Sequence, residues 1–239
     1  MNQSDVLATL AQKEYVKNSF DLLTNIEKES GKKLTASVIT FGCQMNARDS
    51  EKLAGILAAS GFELLEDTED ADFVLYNTCT VRDNANQKLY GHLGEALSRK
   101  KKNPSMLIGI CGCLPQEPSA LEKIKKSYSF VDLIFGTHNL YAFPEYLNRL
   151  LSGERHICEI VDHADNIVED LPIIRKYPFK SGVNIMFGCN NFCTYCIVPH
   201  VRGRERSRES NDILEEIKTL AGNGVKEVML LGQNVNSYG

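Results

Sequence analysis

Short apolar runs alternate with longer amphipathic stretches along residues 33–152 of this 239-residue chain. The apolar runs lie at 36–41, 73–76, 106–110 and 131–135, and a stretch with helical periodicity follows each of them. Strands that alternate with helices of this kind are typical of right-handed βαβ units, in which helices cover the faces of a parallel sheet. The pattern therefore predicts one α/β domain with a parallel sheet.

The segments on either side of this domain have other patterns. Residues 1–32 have loosely helical apolar spacing before a polar stop, and we interpret them as a peripheral helical extension. Residues 153–176 are polar and acidic, which predicts a linker with at most one short strand. Residues 177–239 predict a second unit, with an apolar strand, a cysteine-rich loop, a half-buried helix and another strand at 227–231.

The cellular compartment decides how the eight cysteines are interpreted. No apolar run approaches the ~18 residues of a membrane span, and the N-terminus lacks the basic start and apolar core of a secretory signal. We expect a cytoplasmic protein without membrane association, in which cysteines serve metal binding or catalysis rather than disulfides. The net charge of −4 gives no general attraction for a polyanion, so nucleic-acid binding would require a local basic patch.

Three cysteines lie close together in the loop after the first strand of the second unit. Cys189, Cys193 and Cys196 are spaced by four and three residues, so each thiolate can bind a different iron of a cubane cluster. The fourth iron then has no protein ligand and is open to a substrate. A zinc site completed by His200 and simple burial of three free thiols are the alternatives.

Three further cysteines follow three predicted strands of the first domain, namely Cys43, Cys79 and Cys113. Because ligands of an open parallel sheet bind at the carboxyl ends of its strands, we expect these thiols to converge and hold a second cluster. Burial as small residues at strand ends is the alternative. Cys111 competes with Cys113, and we select Cys113 because it follows a glycine, as Cys43 does. Cys158 has no partner pattern.

The CxxxCxxC motif at Cys189, with Tyr195 before its last cysteine, resembles the radical S-adenosylmethionine (SAM) superfamily. The resemblance implies that the open iron binds SAM and that one electron cleaves SAM to methionine and a 5′-deoxyadenosyl radical, which abstracts hydrogen from an unactivated carbon. It also implies SAM contacts at Tyr195, Gly232 and Gln233. For Tyr195, packing of the ring within the loop is the alternative.

Stretches 40–46, 77–82 and 112–116 resemble the N-terminal domain of the methylthiotransferases, and 189–208 and 231–239 resemble their radical core. The resemblance implies a parallel-sheet methylthiotransferase domain followed by the first one or two βα units of a partial TIM barrel. The segment from Ser181 has room for only about two units of ~30 residues. We therefore expect a chain that is truncated inside the radical core, which leaves its own activity open.

Within this family, Val81–Ala85, Gln87, Lys88 and 199–208 resemble the branch that modifies isopentenyladenosine beside the tRNA anticodon. The resemblance implies a transferase that adds a methylthio group to carbon 2 of the adenine, with tRNA as partner. It also implies two 4Fe-4S clusters, at the two cysteine trios, two SAM molecules, a flavodoxin or ferredoxin as electron donor, and a monomer. The threonylcarbamoyladenosine branch and a non-catalytic zinc-binding module are the alternatives.

A basic run follows the cysteine motif. Its members are Arg202, Arg204, Arg206 and Arg208. Such a run can bind RNA phosphates or the SAM carboxylate, and a solvated charged face is the alternative.

Overall fold

The computed structural model describes residues 3–80, 83–163, 167, 169 and 171–239; Val81 and Arg82 lie outside the described residues. The α-helices are α1 (Gln3–Ser30), α2 (Gln44–Ala59), α3 (Asp83–Lys102), α4 (Pro118–Ser127), α5 (Phe143–Leu151), α6 (Val198–Val201) and α7 (Ser210–Gly222). The strands are β1 (Thr35–Phe41), β2 (Glu63–Leu64), β3 (Phe73–Thr78), β4 (Leu107–Gly112), β5 (Leu133–Phe135), β6 (Ile157–Glu159), β7 (Lys180–Asn184), β8 (Met186–Phe187), β9 (Arg206–Ser207) and β10 (Glu227–Leu231).

Six strands form one parallel sheet in the order β2-β1-β3-β4-β5-β6. The central strands β3 and β4 are buried at every position, as expected for a parallel sheet that is covered on both faces. The predicted α/β fold with a parallel sheet is confirmed. Helix α4 begins at Pro118, after a 3₁₀ turn at Leu114–Gln116, and proline suits this position because the first helical turn needs no N–H donor from it.

A hydrophobic core lies on each face of the sheet. Phe73 and Leu75 of β3 join the core that includes residues of α2 and α5, whereas Val74 and Tyr76 join the core that includes residues of α3 and α4. This division follows from the period of two along a strand, which sends successive side chains to opposite faces. Each fully buried large apolar side chain contributes about 1.5–3 kcal/mol to folding.

The segments that flank the predicted first domain pack against it. Helix α1 lies along α5, and its Leu23 is buried in the core shared with α2 and α5. The segment predicted as a linker contributes β6, which pairs with β5, and Leu171, which joins the same core. The sheet therefore extends past residue 152, where the predicted domain ends, because β6 adds to the open edge of the short strand β5.

The second unit contains one parallel strand pair, β7 and β10, with α7 packed against it. Its small core includes Val183, Met186, Ile213 and Leu220. The antiparallel pair β8 and β9 brackets the cysteine-rich loop. Among the described helices, none has both the length and the apolar character that crossing a membrane requires.

Candidate metal centres

The three first-domain cysteines follow three neighbouring strands of the sheet. In the register of β1, β3 and β4, Phe41 pairs with Thr78, and Thr78 pairs with Gly112. The Cys79 N–H donates to the Phe41 carbonyl at 2.8 Å, and the Cys113 N–H donates to the Thr78 carbonyl at 2.8 Å. The backbone thus continues the sheet register by one residue and holds both cysteines at its carboxyl edge.

The thiols meet at this edge. The Cys79 side chain hydrogen-bonds to both Cys43 and Cys113. The hydrogen bond with Cys79 is in each case the main cause that lowers the pKa, to about 5 for Cys43 and to about 7 for Cys113. Burial acts in the opposite direction on both thiols. Cys79 and Cys113 are buried whereas Cys43 is exposed, so the group is accessible from one side. A lowered pKa favours the thiolate, which is the metal-binding form.

Cys111 has a different environment. It lies inside β4, opposite Asn77, and is part of a hydrophobic core. Burial raises the pKa of its thiol well above the usual value. After it, Gly112 has a φ of +100°, and a Cβ there would lie 2.3 Å from the Thr78 carbonyl oxygen. The glycine turn therefore separates the core thiol from Cys113 at the edge, and the geometry favours Cys113 as the ligand.

Two buried asparagines support the trio, and neither was predicted as a site residue. Asn46 accepts a hydrogen bond from the Cys43 thiol at 3.2 Å and donates to Asn77 Oδ1 at 3.1 Å. Asn77 donates in return to the Asn46 carbonyl at 2.8 Å and to Ser50 Oγ at 2.9 Å. Both lie within the stretches that resemble methylthiotransferases, 40–46 and 77–82, which is the signal that singles them out.

Arg202 reaches this site from the second unit. Its Nε donates to Cys113 Sγ at 3.0 Å, and its Nη2 forms an ion pair with Asp49 Oδ2 at 3.0 Å. The residue is 6% exposed. Burial by itself would lower the pKa of the guanidinium, but the nearby Cys113 and Asp49 charges raise it above its ordinary value. The side chain is therefore a buried cation directly beside the cysteine trio.

Two members of the basic run, Arg202 and Arg208, have partners inside the protein. Arg202 is bound as described, and Arg208 donates to the Asn184 carbonyl at 2.6 Å and pairs with Glu216 at 2.7 Å. Arg204 is exposed, and Arg206 is partly exposed with its guanidinium 6.0 Å from the centre of the Phe187 ring. Charge spacing in the sequence cannot separate these cases, since only tertiary packing shows which guanidinium is buried.

The second cysteine trio lies in a loop that is held against the chain that follows it. Gly188 has a φ of +77°, and a Cβ there would lie 2.1 Å from the Arg204 carbonyl oxygen. The Cys189 N–H donates to the Gly203 carbonyl at 3.2 Å. Cys189 is buried, Cys196 is partly buried and Cys193 is exposed, so the trio also opens to solvent. The Cys196 N–H donates to the Cys193 carbonyl at 2.9 Å.

The residues predicted to contact SAM surround this loop. Gln233 Oε1 accepts a hydrogen bond from the Gly188 N–H at 2.6 Å, and its Nε2 contacts the Met45 sulfur. A Cβ at Gly232 would lie 2.5 Å from Met186 Cγ, so this position requires a glycine or a shift of that methionine. The Tyr195 side chain is 91% exposed, so it does not pack the loop and its ring is free for a planar ligand.

Among the described side chains, no mononuclear zinc site is preassembled. Within residues 3–80, 83–163 and 171–239 and the two isolated described positions, no three His, Cys, Asp or Glu side chains are grouped to hold one metal ion. His200 instead has its ring edge-on to Phe192, with 6.0 Å between ring centres.

A cavity of about 60 Å³ lies between the first-domain edge and β8. Among its lining residues are Lys52, His138, Phe187 and Arg206. His138 is buried, and its Nε2 has no hydrogen-bond partner within the described part of the chain. Burial, reinforced by nearby Arg206 and Arg202, lowers the pKa of His138 to about 4, which keeps the imidazole neutral at pH 7.

Two family models match the chain. Residues 35–136 match an uncharacterized protein family, UPF0004, and residues 183–239 match the radical SAM superfamily. The first match contains Cys43, Cys79 and Cys113, and the second contains the loop from Cys189 to Cys196.

Curated relatives match over most of the chain. It is 59% identical over 214 residues to the tRNA-2-methylthio-N(6)-dimethylallyladenosine synthase of Lachnoclostridium phytofermentans, covering 90% of this chain and 47% of that protein. Proteins with the same name from Clostridium perfringens (53% identity, 90% of this chain, 48% of the relative) and Alkaliphilus oremlandii (50%, 95% and 48%) also match. The chain spans about half the length of these relatives. The predicted resemblance to the tRNA methylthiotransferases is confirmed.

Proposed function

We propose, from its similarity to tRNA methylthiotransferases of the radical SAM superfamily, that this chain contains the cluster-binding part of such an enzyme. The reaction is the addition of a methylthio group to carbon 2 of isopentenyladenosine beside the tRNA anticodon. The identity of 50–59% to the relatives described above supports this substrate. The observation that carries the proposal is the hydrogen bonding of Cys79 to both Cys43 and Cys113 at one sheet edge.

The donor set of the first domain fits an iron–sulfur cluster. Three thiols from neighbouring strands meet at one edge, two of them with a lowered pKa, and iron–sulfur clusters are held by thiolates. Three protein ligands on a cubane leave one iron open. We propose the same arrangement for Cys189, Cys193 and Cys196, whose loop has one buried and one exposed thiol.

When bound, the two 4Fe-4S clusters and SAM would supply hydrogen abstraction and methylthio transfer. The residues of this chain would bind these groups, orient them and shield them from water. Burial of Cys79 and Cys113 excludes water from the inner side of the first site. Arg202, on the segment that follows the second trio, contacts Cys113 and so fixes the two sites relative to one another. Such fixed geometry is what a reaction between two bound groups requires.

The partners belong to the same proposal. We propose tRNA as the substrate, with Arg204 and Arg206 as phosphate contacts, and Tyr195 as a stacking surface for the SAM adenine. Gly232 and Gln233 would border the methionyl end of SAM, because Gln233 accepts a hydrogen bond from the N–H of Gly188, which directly precedes Cys189. A flavodoxin or ferredoxin would donate the electron, and the protein would act as a cytoplasmic monomer.

Iron counting tests the cluster assignment. After anaerobic reconstitution with iron and sulfide, we expect about eight irons per chain for two cubanes. Replacing Cys43, Cys79 and Cys113 together by Ala lowers this to about four, and the same change at Cys189, Cys193 and Cys196 has an equal effect. The matched control is Cys158→Ala, which keeps about eight. One tightly bound zinc and no brown chromophore would overturn the proposal.

Nucleoside analysis tests the substrate. A version of this chain extended by the part that the relatives possess is expressed in cells that lack their own methylthiotransferase. Mass spectrometry of digested tRNA is expected to show isopentenyladenosine converted to its 2-methylthio form. An unchanged isopentenyladenosine pool, in cells where the extended protein carries both clusters, contradicts this substrate.

A further inference from the structure

We infer that Arg202 is a positioning residue of the first-domain cysteine site, which orients Cys113 and raises the reduction potential of the cluster held there. The inference rests on the proposed function, since it concerns the cluster proposed for Cys43, Cys79 and Cys113. It assigns to Arg202 a role toward the metal centre in place of the RNA contact predicted from the basic run.

The guanidinium of Arg202 suits both of its contacts at once. Arginine presents several N–H donors in a rigid planar fork. Here Nε is 3.0 Å from Cys113 Sγ, and Nη2 is 3.0 Å from Asp49 Oδ2. Asp49 lies on α2, the helix that starts directly after Cys43. Arg202 thus binds the two elements that carry the first and third cysteines of the trio.

Backbone contacts on both sides hold Arg202 in place. Thr137 Oγ1 donates to the carbonyl of Val201 at 3.0 Å, which ties the preceding residue to the first domain. The following residue, Gly203, accepts a hydrogen bond from the Cys189 N–H at 3.2 Å. One short segment therefore connects the Cys113 thiol to the loop of the second trio.

The charge of Arg202 acts on the electron affinity of a cluster beside it. Hydrogen bonds to cluster sulfurs and the local charge are two of the factors that set the reduction potential. Taking up one electron makes the cluster more negative, and a buried cation that donates to a ligand sulfur stabilises that state. Asp49 lowers the reduction potential instead, because its buried carboxylate is paired with the same guanidinium and offsets its positive charge.

The test uses the full chain with Cys189, Cys193 and Cys196 replaced by Ala, so that only the first site binds a cluster. This reference is reconstituted anaerobically and its iron is counted, with about four irons expected. Its midpoint potential is then measured at one pH by titration with dithionite and redox mediators. The same two measurements are made on Arg202→Gln, Arg202→Lys and Asp49→Asn, and on the control Arg204→Gln, which changes an exposed arginine two residues away.

We expect Arg202→Gln to make the midpoint potential more negative and to increase the iron lost to a chelator. Arg202→Lys should have a midpoint potential between those of Arg202→Gln and the reference, because lysine keeps the positive charge but lacks the planar guanidinium. Asp49→Asn should move the potential in the positive direction, and Arg204→Gln should leave both values unchanged.

A double variant separates the inference from a folding defect. Arg202→Gln alone leaves Asp49 as a buried unpaired carboxylate, whereas Asp49→Asn with Arg202→Gln removes both charges of this pair. We expect the double variant to have a more negative potential than Asp49→Asn alone. Equal potentials in these two proteins would overturn the inference and leave the proposed function intact. A reference protein that binds no iron would overturn the proposed function, and the inference with it.

Discussion

Arg48 Nη2 donates to Glu216 Oε1 across 2.8 Å, although the two residues are 168 positions apart in the sequence. Arg48 lies on α2 of the first domain, and its side chain is 2% exposed. Glu216 lies on α7 of the second unit and also pairs with Arg208 at 2.7 Å. The contact between the two parts of the chain therefore contains a largely buried ionic network, which joins α2 to the second unit.

Removing Arg48 should destabilise the protein. In Arg48→Met the carboxylates of Glu51 and Glu216 lose a buried partner, and we expect a loss of about 3 kcal/mol in the free energy of unfolding. The control is Lys218→Met, whose partner Glu215 is exposed, and it should cost less than about 1 kcal/mol. Urea unfolding followed by circular dichroism measures both. Equal losses would show that the Arg48 network adds nothing beyond a surface pair.

The turn before Cys113 depends on a glycine. Gly112→Ala places a methyl group 2.3 Å from the Thr78 carbonyl oxygen in a backbone conformation with φ +100°, and we expect a loss of about 3 kcal/mol or more. Gly91→Ala is the matched control, since it lies in α3 with no atom within 4 Å of the new methyl group. That change should stabilise by about 0.5–1 kcal/mol. Thermal unfolding of both variants provides the comparison, and a tolerated Gly112→Ala would contradict the described turn.

Cys111, which lies inside β4, and Cys113, which follows this strand, should behave differently. Cys113→Ala removes a thiol of the trio and is expected to lower the iron content of the reconstituted chain from about eight toward about four. Cys111→Ala removes a core thiol and should leave the iron content unchanged, with a small loss of stability from the cavity. Iron and sulfide assays on the two variants distinguish them. The reverse result would assign Cys111 as the ligand.

His138 should make stability depend on pH below neutrality. Its pKa is about 4 in the folded protein against about 6.5 in an unfolded chain, so the unfolded state binds the proton first as the pH falls. The contribution of the neutral imidazole is complete above pH 6.5 and decreases as the pH falls from 6.5 to 4. The charged groups around it are Asp49, Lys52, Asp162, Glu169, Arg202, Arg206 and, when protonated, His163.

The measurement for His138 is the urea midpoint of the parent protein and of His138→Asn at several pH values between 7 and 4.5. Because other groups titrate equally in both proteins, the difference between them isolates His138. The parent is expected to lose more stability than the variant across this interval. Parallel curves would show that the imidazole gains no proton on unfolding.

The sequence by itself determined the architecture of the sheet and the edge at which three cysteines end. Side-chain periodicity is local, with a period of two in strands such as β3 and 3.6 in helices such as α3, so each element is encoded within its own residues. The rule that parallel strands end at a common edge then placed Cys43, Cys79 and Cys113 together across gaps of more than 30 residues.

Only the tertiary structure decided what joins this edge from elsewhere. The addition of β6 to the sheet, the packing of α1 on α5 and the insertion of Arg202 beside Cys113 all depend on partners distant in the sequence. Four arginines at alternate positions look alike in the sequence, yet Arg202 and Arg208 are buried and Arg204 is exposed. Burial of a charge depends on whether a compensating carboxylate or thiolate meets it in space, and no local pattern encodes that meeting.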